Sequence, residues 1–218
     1  MGQVILRMLF ISGRLFSYIF PYSVFKYGYP IYARVYTGWL YRYFKHFGNS
    51  VIVPPIRHFK GGKYISVGEG TTLGKNMVLT AWDKYEGESF LPEITIGNGC
   101  SIGDDAHITA INSIIIGNNV LTGKKILITD NSHGAAVREL MDIFPIRRPL
   151  YSKGPVIIND NVWIGEKASI MPGVKVGKGS IIAANSVVAK DVPDYCVAAG
   201  IPAEIISRMS EKAYKNSK

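Results

Sequence analysis

Six consecutive hexapeptides from Ile158 to Pro193 keep a single phase, and no other feature restricts the fold of this chain so severely. Each opens with an isoleucine or valine (Ile158, Ile164, Ile170, Val176, Ile182, Val188), and each carries Val, Ala or Ser four positions on (Val162, Ala168, Val174, Ser180, Ser186, Val192). The phase also runs from Ile96 through Ile102 to Ile108, resumes at Ile116, and is present earlier at Val67 and Leu73. An α-helix repeats its apolar stripe every three or four residues, so a period of six excludes it. The pattern describes a short strand with an inward aliphatic side chain, followed by a tight turn that Gly or Asn permits. Three such strands close one triangular coil, and stacked coils bury a continuous column of Ile and Val.

A regular solenoid places function where its regularity breaks. Two loops interrupt the repeat, residues 81–93 with Trp82, Asp83, Lys84 and Tyr85, and residues 131–155, which open just after Thr129-Asp-Asn-Ser-His133-Gly. A smaller irregularity, Asn112-Ser113, adds two residues between the units at Ile108 and Ile116. Of four histidines, His46 and His58 read as surface residues of the N-terminal region, and His107 ends a hexapeptide at an outward position. His133 differs because it begins the long loop directly after a strand. Histidine suits general-base work because its ordinary pKa of about 6.5 lies near working pH. Asp130, three residues earlier, is expected either to orient that imidazole or to end the strand as an Asx-type turn residue.

Charge divides the chain unequally. No Asp or Glu precedes Glu69, whereas nine Lys and Arg do, which accounts for the whole net charge of +9. Nine of the 13 tyrosines share that stretch. Residues 1–48 are therefore expected to be a mainly helical, basic and aromatic segment. It serves as a cap on the main domain or as a contact with an anionic membrane surface, rather than with nucleic acid. Arg7, Arg14 and Pro21 cut its apolar runs short of the roughly 20 residues that a spanning helix needs, and no small-residue cleavage site marks a signal peptide. Cys100 and Cys196 are too few for a disulfide framework and read as buried, reduced thiols. The expectation is a cytoplasmic protein, at most peripheral at the inner face of the membrane.

The stretch from Ile114 to Pro202 resembles the hexapeptide-repeat acyltransferases, in the branch of galactoside, maltose and xenobiotic acetyltransferases and surface-polysaccharide O-acetyltransferases. The matching residues are Ile114-Ile-Ile-Gly-Asn-Asn-Val120, the Asp130/His133 segment, Asn161-Val-Trp-Ile-Gly165 and Ala198-Ala-Gly-Ile-Pro202. The resemblance implies an all-β, left-handed parallel β-helix over residues 49–207, with a short C-terminal helix in the tail at 208–218. It implies an acetyl-CoA-dependent O-acetyltransferase that acts on a saccharide without a metal, as a homotrimer with its active sites between subunits. It makes His133 the general base, and Trp163 a wall of the acetyl and acceptor pocket or an outward residue at a subunit contact. Gly165, Ala183 and Ala184 become the small residues beside pantetheine, and Lys190 a partner of the nucleotide phosphates, with Arg208 as a weaker candidate. Where galactoside enzymes carry an acceptor-contacting asparagine this chain has Gly103, leaving Asp104, Asp105 or Asn112 as substitutes.

Rival readings remain open at this point. N-acetylation of an amino or nucleotide sugar, or acetylation of serine, would use the same fold. A zinc hydratase of this fold needs three histidine ligands, whereas only His107 and His133 lie in the β-helix portion. A non-catalytic scaffold would have no use for the loop histidine.

Overall fold

The computed structural model describes residues 2–209. From His46 onward the chain winds into a three-sided parallel β-helix, three residues earlier than the boundary the family resemblance implies. On the first face, strands His46–Phe47, Ile65–Val67, Glu93–Ile96, Ser113–Ile116, Val156–Ile158 and Lys175–Val176 pair in parallel in that order. The second face runs from Val51–Ile52 to Ile181–Ile182, and the third from His58–Lys60 to Val187–Val188.

Both apolar positions of the hexapeptide point inward, as their spacing requires. On the third face Leu79, Ile108, Ile128, Ile170 and Val188 stack in register and are buried. The smaller residues Val162, Ala168, Val174, Ser180, Ser186 and Val192 are buried too. Where that position is serine the hydroxyl is used: Ser180 Oγ donates to the Pro193 carbonyl at 2.7 Å and accepts from the Cys196 amide at 3.2 Å. The core thus loses no hydrogen bond to its polar members. Cys100 and Cys196 are free and buried.

All three irregularities leave the prism at one corner, between the third face and the first. Residues 81–93 follow strand Val78–Ala81, Asn112-Ser113 follows His107–Ala110, and 131–155 follow Leu127–Thr129. These three strands are neighbours in the third face, so interruptions far apart in sequence emerge one above another.

The N-terminal segment divides into two unlike helices, α1 (Gly2–Ile19) and α2 (Tyr22–Leu40). The C-terminal half of α2 caps the first coil. Ala33 and Leu40 are buried, and Phe44 beyond them joins the core. The Thr37 hydroxyl accepts from the amide of Ile52 at 2.9 Å, and Tyr36 Oη accepts from Ile56 N at 3.1 Å. Helix α1 buries none of its residues. Arg7 and Arg14 are seven apart and share one side of it with Gln3 and Ser17, leaving the remaining circumference apolar apart from Ser12. No single helix among the described residues is long and apolar enough to cross a membrane.

At the other end the second face closes with Cys196–Gly200 and a return strand, Ala203–Arg208, paired antiparallel to it. The helix expected in the C-terminal tail falls on residues 210–218, outside the described residues; Arg208, expected in that tail, is the last residue of the return strand.

Candidate active site

A cleft of about 680 Å³ opens on the outer side of the third face, and His133 lines it together with Asn131, Ser132 and Tyr85. The backbone at His133 is held by its own small ladder. Ser132–His133 pairs antiparallel with Leu150–Tyr151, closing the base of the 131–155 insertion. The other insertion reaches across to it. Tyr85 Oη donates its proton to the carbonyl of Ile146 at 2.5 Å, and the same oxygen lies 3.4 Å from His133 Nδ1.

The hydroxyl has one proton, and the carbonyl can only accept. Toward His133 the Tyr85 oxygen can therefore act only as acceptor, which places the imidazole proton on Nδ1 and leaves Nε2 with its lone pair. Aromatic contacts extend the arrangement. The Tyr85 and His133 ring centroids are 5.4 Å apart, edge to face, and Trp82 meets Tyr85 edge-on at 6.0 Å. Trp82 in turn carries Lys60 Nζ 3.5 Å above its ring and donates Nε1–H to Thr80 Oγ1.

Asp130 takes neither role expected of it. Its fully buried carboxylate accepts from the amides of Ile111 and Asn112, at 2.9 and 2.8 Å, and from Asn131 Nδ2 at 2.9 Å. No hydrogen bond joins it to His133 among the described residues, and the turn that follows is made by the Thr129 hydroxyl, which accepts from Asn131 N. Asp130 instead satisfies the two backbone donors left without ladder partners where Asn112-Ser113 widens the corner beneath. Asn112 itself is exposed at that corner, outside the cleft lining.

The residues assigned to coenzyme A, and with them Trp163, expected at the acetyl and acceptor pocket, lie elsewhere in the chain, away from the His133 cleft. Trp163, Gly165, Ala183 and Ala184 line a second groove of about 450 Å³ on the second face. Trp163 is half exposed and stands in register between Leu121 and Ile181. Gly165 has a reason to be glycine that involves no ligand, since a Cβ there would lie 2.4 Å from Ala184 N. The close stacking of coils demands it. Ala184 is exposed and carries no such constraint. Lys190 follows the last strand of the third face and pairs with Glu204 at 3.8 Å, both side chains largely exposed. The expected site residues thus fall on two faces of one chain, His133 on one and the groove on the other.

Several residues of the cleft were not singled out by the repeat. Tyr85 belongs to an interruption, which was its only sequence signal. His107 faces outward as expected, but into this cleft, where it joins Arg57 and His58. His58, Val78 and His107 are consecutive in register, so aligning the coils would have revealed the pair. Desolvation first, and then the charge of His58, hold the His107 imidazole below its ordinary pKa.

Comparison with known proteins agrees with this architecture. Residues 155–190 match the family described as bacterial transferase hexapeptide (six repeats). WbbJ of Escherichia coli (strain K12), named for lipopolysaccharide biosynthesis O-acetyl transfer, is 33% identical over 152 residues, covering 68% of this chain and 74% of that protein. Among solved structures, the hexapeptide-repeat acetyltransferase VCA0836 of Vibrio cholerae is 27% identical with a TM-score of 0.51, over 78% of this chain and 77% of that one. AntD of Bacillus cereus, an N-acyltransferase crystallised with dTDP and 3-hydroxybutyryl-CoA, shares the fold at a TM-score of 0.61 and 17% identity, over 77% and 84% of the two chains.

Proposed function

The chain belongs to the hexapeptide-repeat acetyltransferases, whose β-helix is left-handed, and from that membership we propose that it transfers acetyl from acetyl-CoA to a saccharide hydroxyl, with His133 as the general base. The observation that carries this reading is the commitment of the Tyr85 proton to Ile146, which leaves His133 Nε2 free to take a proton. Acetyl-CoA supplies an activated acyl carbon. Nε2 removes the proton of the acceptor hydroxyl as its oxygen bonds to that carbon. The imidazolium so formed returns the proton to the departing sulfur, and the base is regenerated with no proton left over.

The groove beside Trp163 leaves room for a long flexible chain, since Ala183 and the exposed Ala184 on its wall project little from the backbone. Lys190 reaches nucleotide phosphates in this reading by giving up an exposed ion pair with Glu204, which costs little. Because the groove and His133 occupy different faces, a second subunit is needed to bring one against the other. Exposed Leu121 and Trp163 on the second face suit such a contact. A homotrimer with cyclic symmetry would make three identical composite sites.

We assign α1 to the surface of an anionic membrane, which supports a peripheral location and an acceptor presented there. The apolar circumference and single arginine stripe are those of a helix lying in the interface plane. N-acetylation of an amino sugar is the second reading, since the same fold also serves AntD, an N-acyltransferase. The experiment that separates them is thiol release from acetyl-CoA with a panel of sugars, nucleotide sugars, amino sugars and amino acids. Release with hydroxyl acceptors supports the first reading. Release with amines alone overturns it, and no release with any acceptor overturns the assignment of activity to this site.

A further inference from the structure

The cleft that holds His133 carries one arginine and three histidines in its lining and no acid. Arg57 and His58 stand at one end and His133 at the other; His107 lies between them, two strands from His58 and one from Leu127, among threonines and apolar residues. From the strand of His58 to the strand of Leu127, beside His133, there are three steps of the third face, roughly 14 Å at the usual strand spacing. That length exceeds a single sugar ring.

The acidic residues that could have neutralised this end are engaged elsewhere. Asp83 pairs with Lys63 at 3.2 Å and accepts from Tyr64 Oη. Glu93 pairs with Lys45 at 2.9 Å. Asp130 is buried against backbone amides. Among the described residues no carboxylate lies within ion-pair distance of Arg57 or Lys60. A neutral saccharide offers hydroxyl protons as well as lone pairs and calls for acceptors in its site. At the far end the Arg57 guanidinium, which donates and cannot accept, has no carboxylate beside it and fits a ligand that brings negative charge of its own.

We propose that the acceptor is a phosphate-bearing saccharide, its anionic group held at the Arg57 and His58 end while the hydroxyl to be acetylated lies at His133. This rests on the acetyl transfer proposed above. The guanidinium suits phosphate through paired N–H donors. Burial first, and then the charge of His58, disfavours the protonated form of the His107 imidazole, and an anion beside it relieves the second of these. The phosphate has two chemical sources, a soluble sugar phosphate or nucleoside diphosphate sugar, and a sugar carried on a polyprenyl phosphate. The basic end belongs to the coil that carries α2.

The test compares kcat/KM for a free hexose, its 1-phosphate, a nucleoside diphosphate hexose and a polyprenyl-phosphate hexose in vesicles, using the intact protein and Arg57→Gln. The intact protein is expected to prefer phosphate-bearing acceptors by at least about tenfold, as for one charged hydrogen-bonded contact. Arg57→Gln is expected to lower the ratio of charged to uncharged acceptor, through KM. Preference for the lipid-carried sugar or for the soluble one identifies the source, and either supports the proposal. An intact enzyme indifferent to phosphate overturns it while leaving the acetyl transfer standing, as does an Arg57→Gln variant that slows charged and uncharged acceptors alike. Calorimetry with hexose 1-phosphate gives a readout independent of turnover. Binding that weakens in Arg57→Gln supports the anion site even if no acceptor is acetylated, and absence of binding to the intact protein counts against it.

Discussion

At His133 two neutral tautomers compete, and the contact with Tyr85 decides between them. Replacing His133 with alanine is expected to lower acetyl transfer by roughly 10² to 10⁴, the usual contribution of a positioned base. Coenzyme A binding and melting temperature should hardly change, because the side chain is exposed and the second-face groove does not include it. Turnover above a tenth of the unmodified rate would remove His133 from the mechanism. Tyr85→Phe probes the tautomer separately. Losing one hydrogen bond of ordinary strength should slow transfer by roughly two- to tenfold. The decisive readout is the ¹⁵N spectrum of His133, which should change from the Nδ1–H form to a mixture. An unchanged tautomer would make Tyr85 a packing residue. Neither the Tyr85–His133 pairing nor the backbone duty of Asp130 was legible in the sequence. A six-residue period dictates which residues point inward and says nothing about how two irregular segments meet.

Along the coils the position was reversed. The inward placement of Ile158 through Val188, and of the small residues four places on, followed from spacing alone, because only one phase buries every aliphatic side chain. The repeat also located both insertions, since each is a gap in that phase. It did not foretell the reversal at Ala203–Arg208, where Ile205 and Ile206 are exposed and no periodic burial marks the strand. Gly165 shows how one residue can satisfy two explanations. Coil stacking already forbids a side chain there, so its smallness is no evidence for a cofactor. Two variants separate the cases. Gly165→Ala should lower the melting temperature, since the crowding atoms are backbone and cannot move aside cheaply. Ala184→Leu should leave stability nearly intact and raise the KM for acetyl-CoA severalfold. If Ala184→Leu leaves that KM unchanged, the second-face groove is not where coenzyme A lies.

For the molecule as a whole, the separation of His133 from the groove makes assembly the first matter to measure. Light scattering should report three times the 24.0 kDa chain, and a monomer at working concentration would sink the shared site. Vesicle co-sedimentation then addresses α1. Each basic residue near an anionic surface adds about 1 kcal/mol, screened within a Debye length of ~10 Å at 0.1 M salt, so part of the binding should be lost on adding salt. The apolar circumference of α1 should retain the rest. A protein that ignores acidic vesicles at low ionic strength would leave the N-terminal segment only its capping role. That role has a further consequence. A parallel ladder is a template, and an uncovered end invites the first coil of another copy to continue it without limit. Here Thr37 occupies the Ile52 amide at one end, and a strand of opposite direction follows Cys196–Gly200 at the other. At both termini of the second face the parallel template that a second copy could continue is thus interrupted.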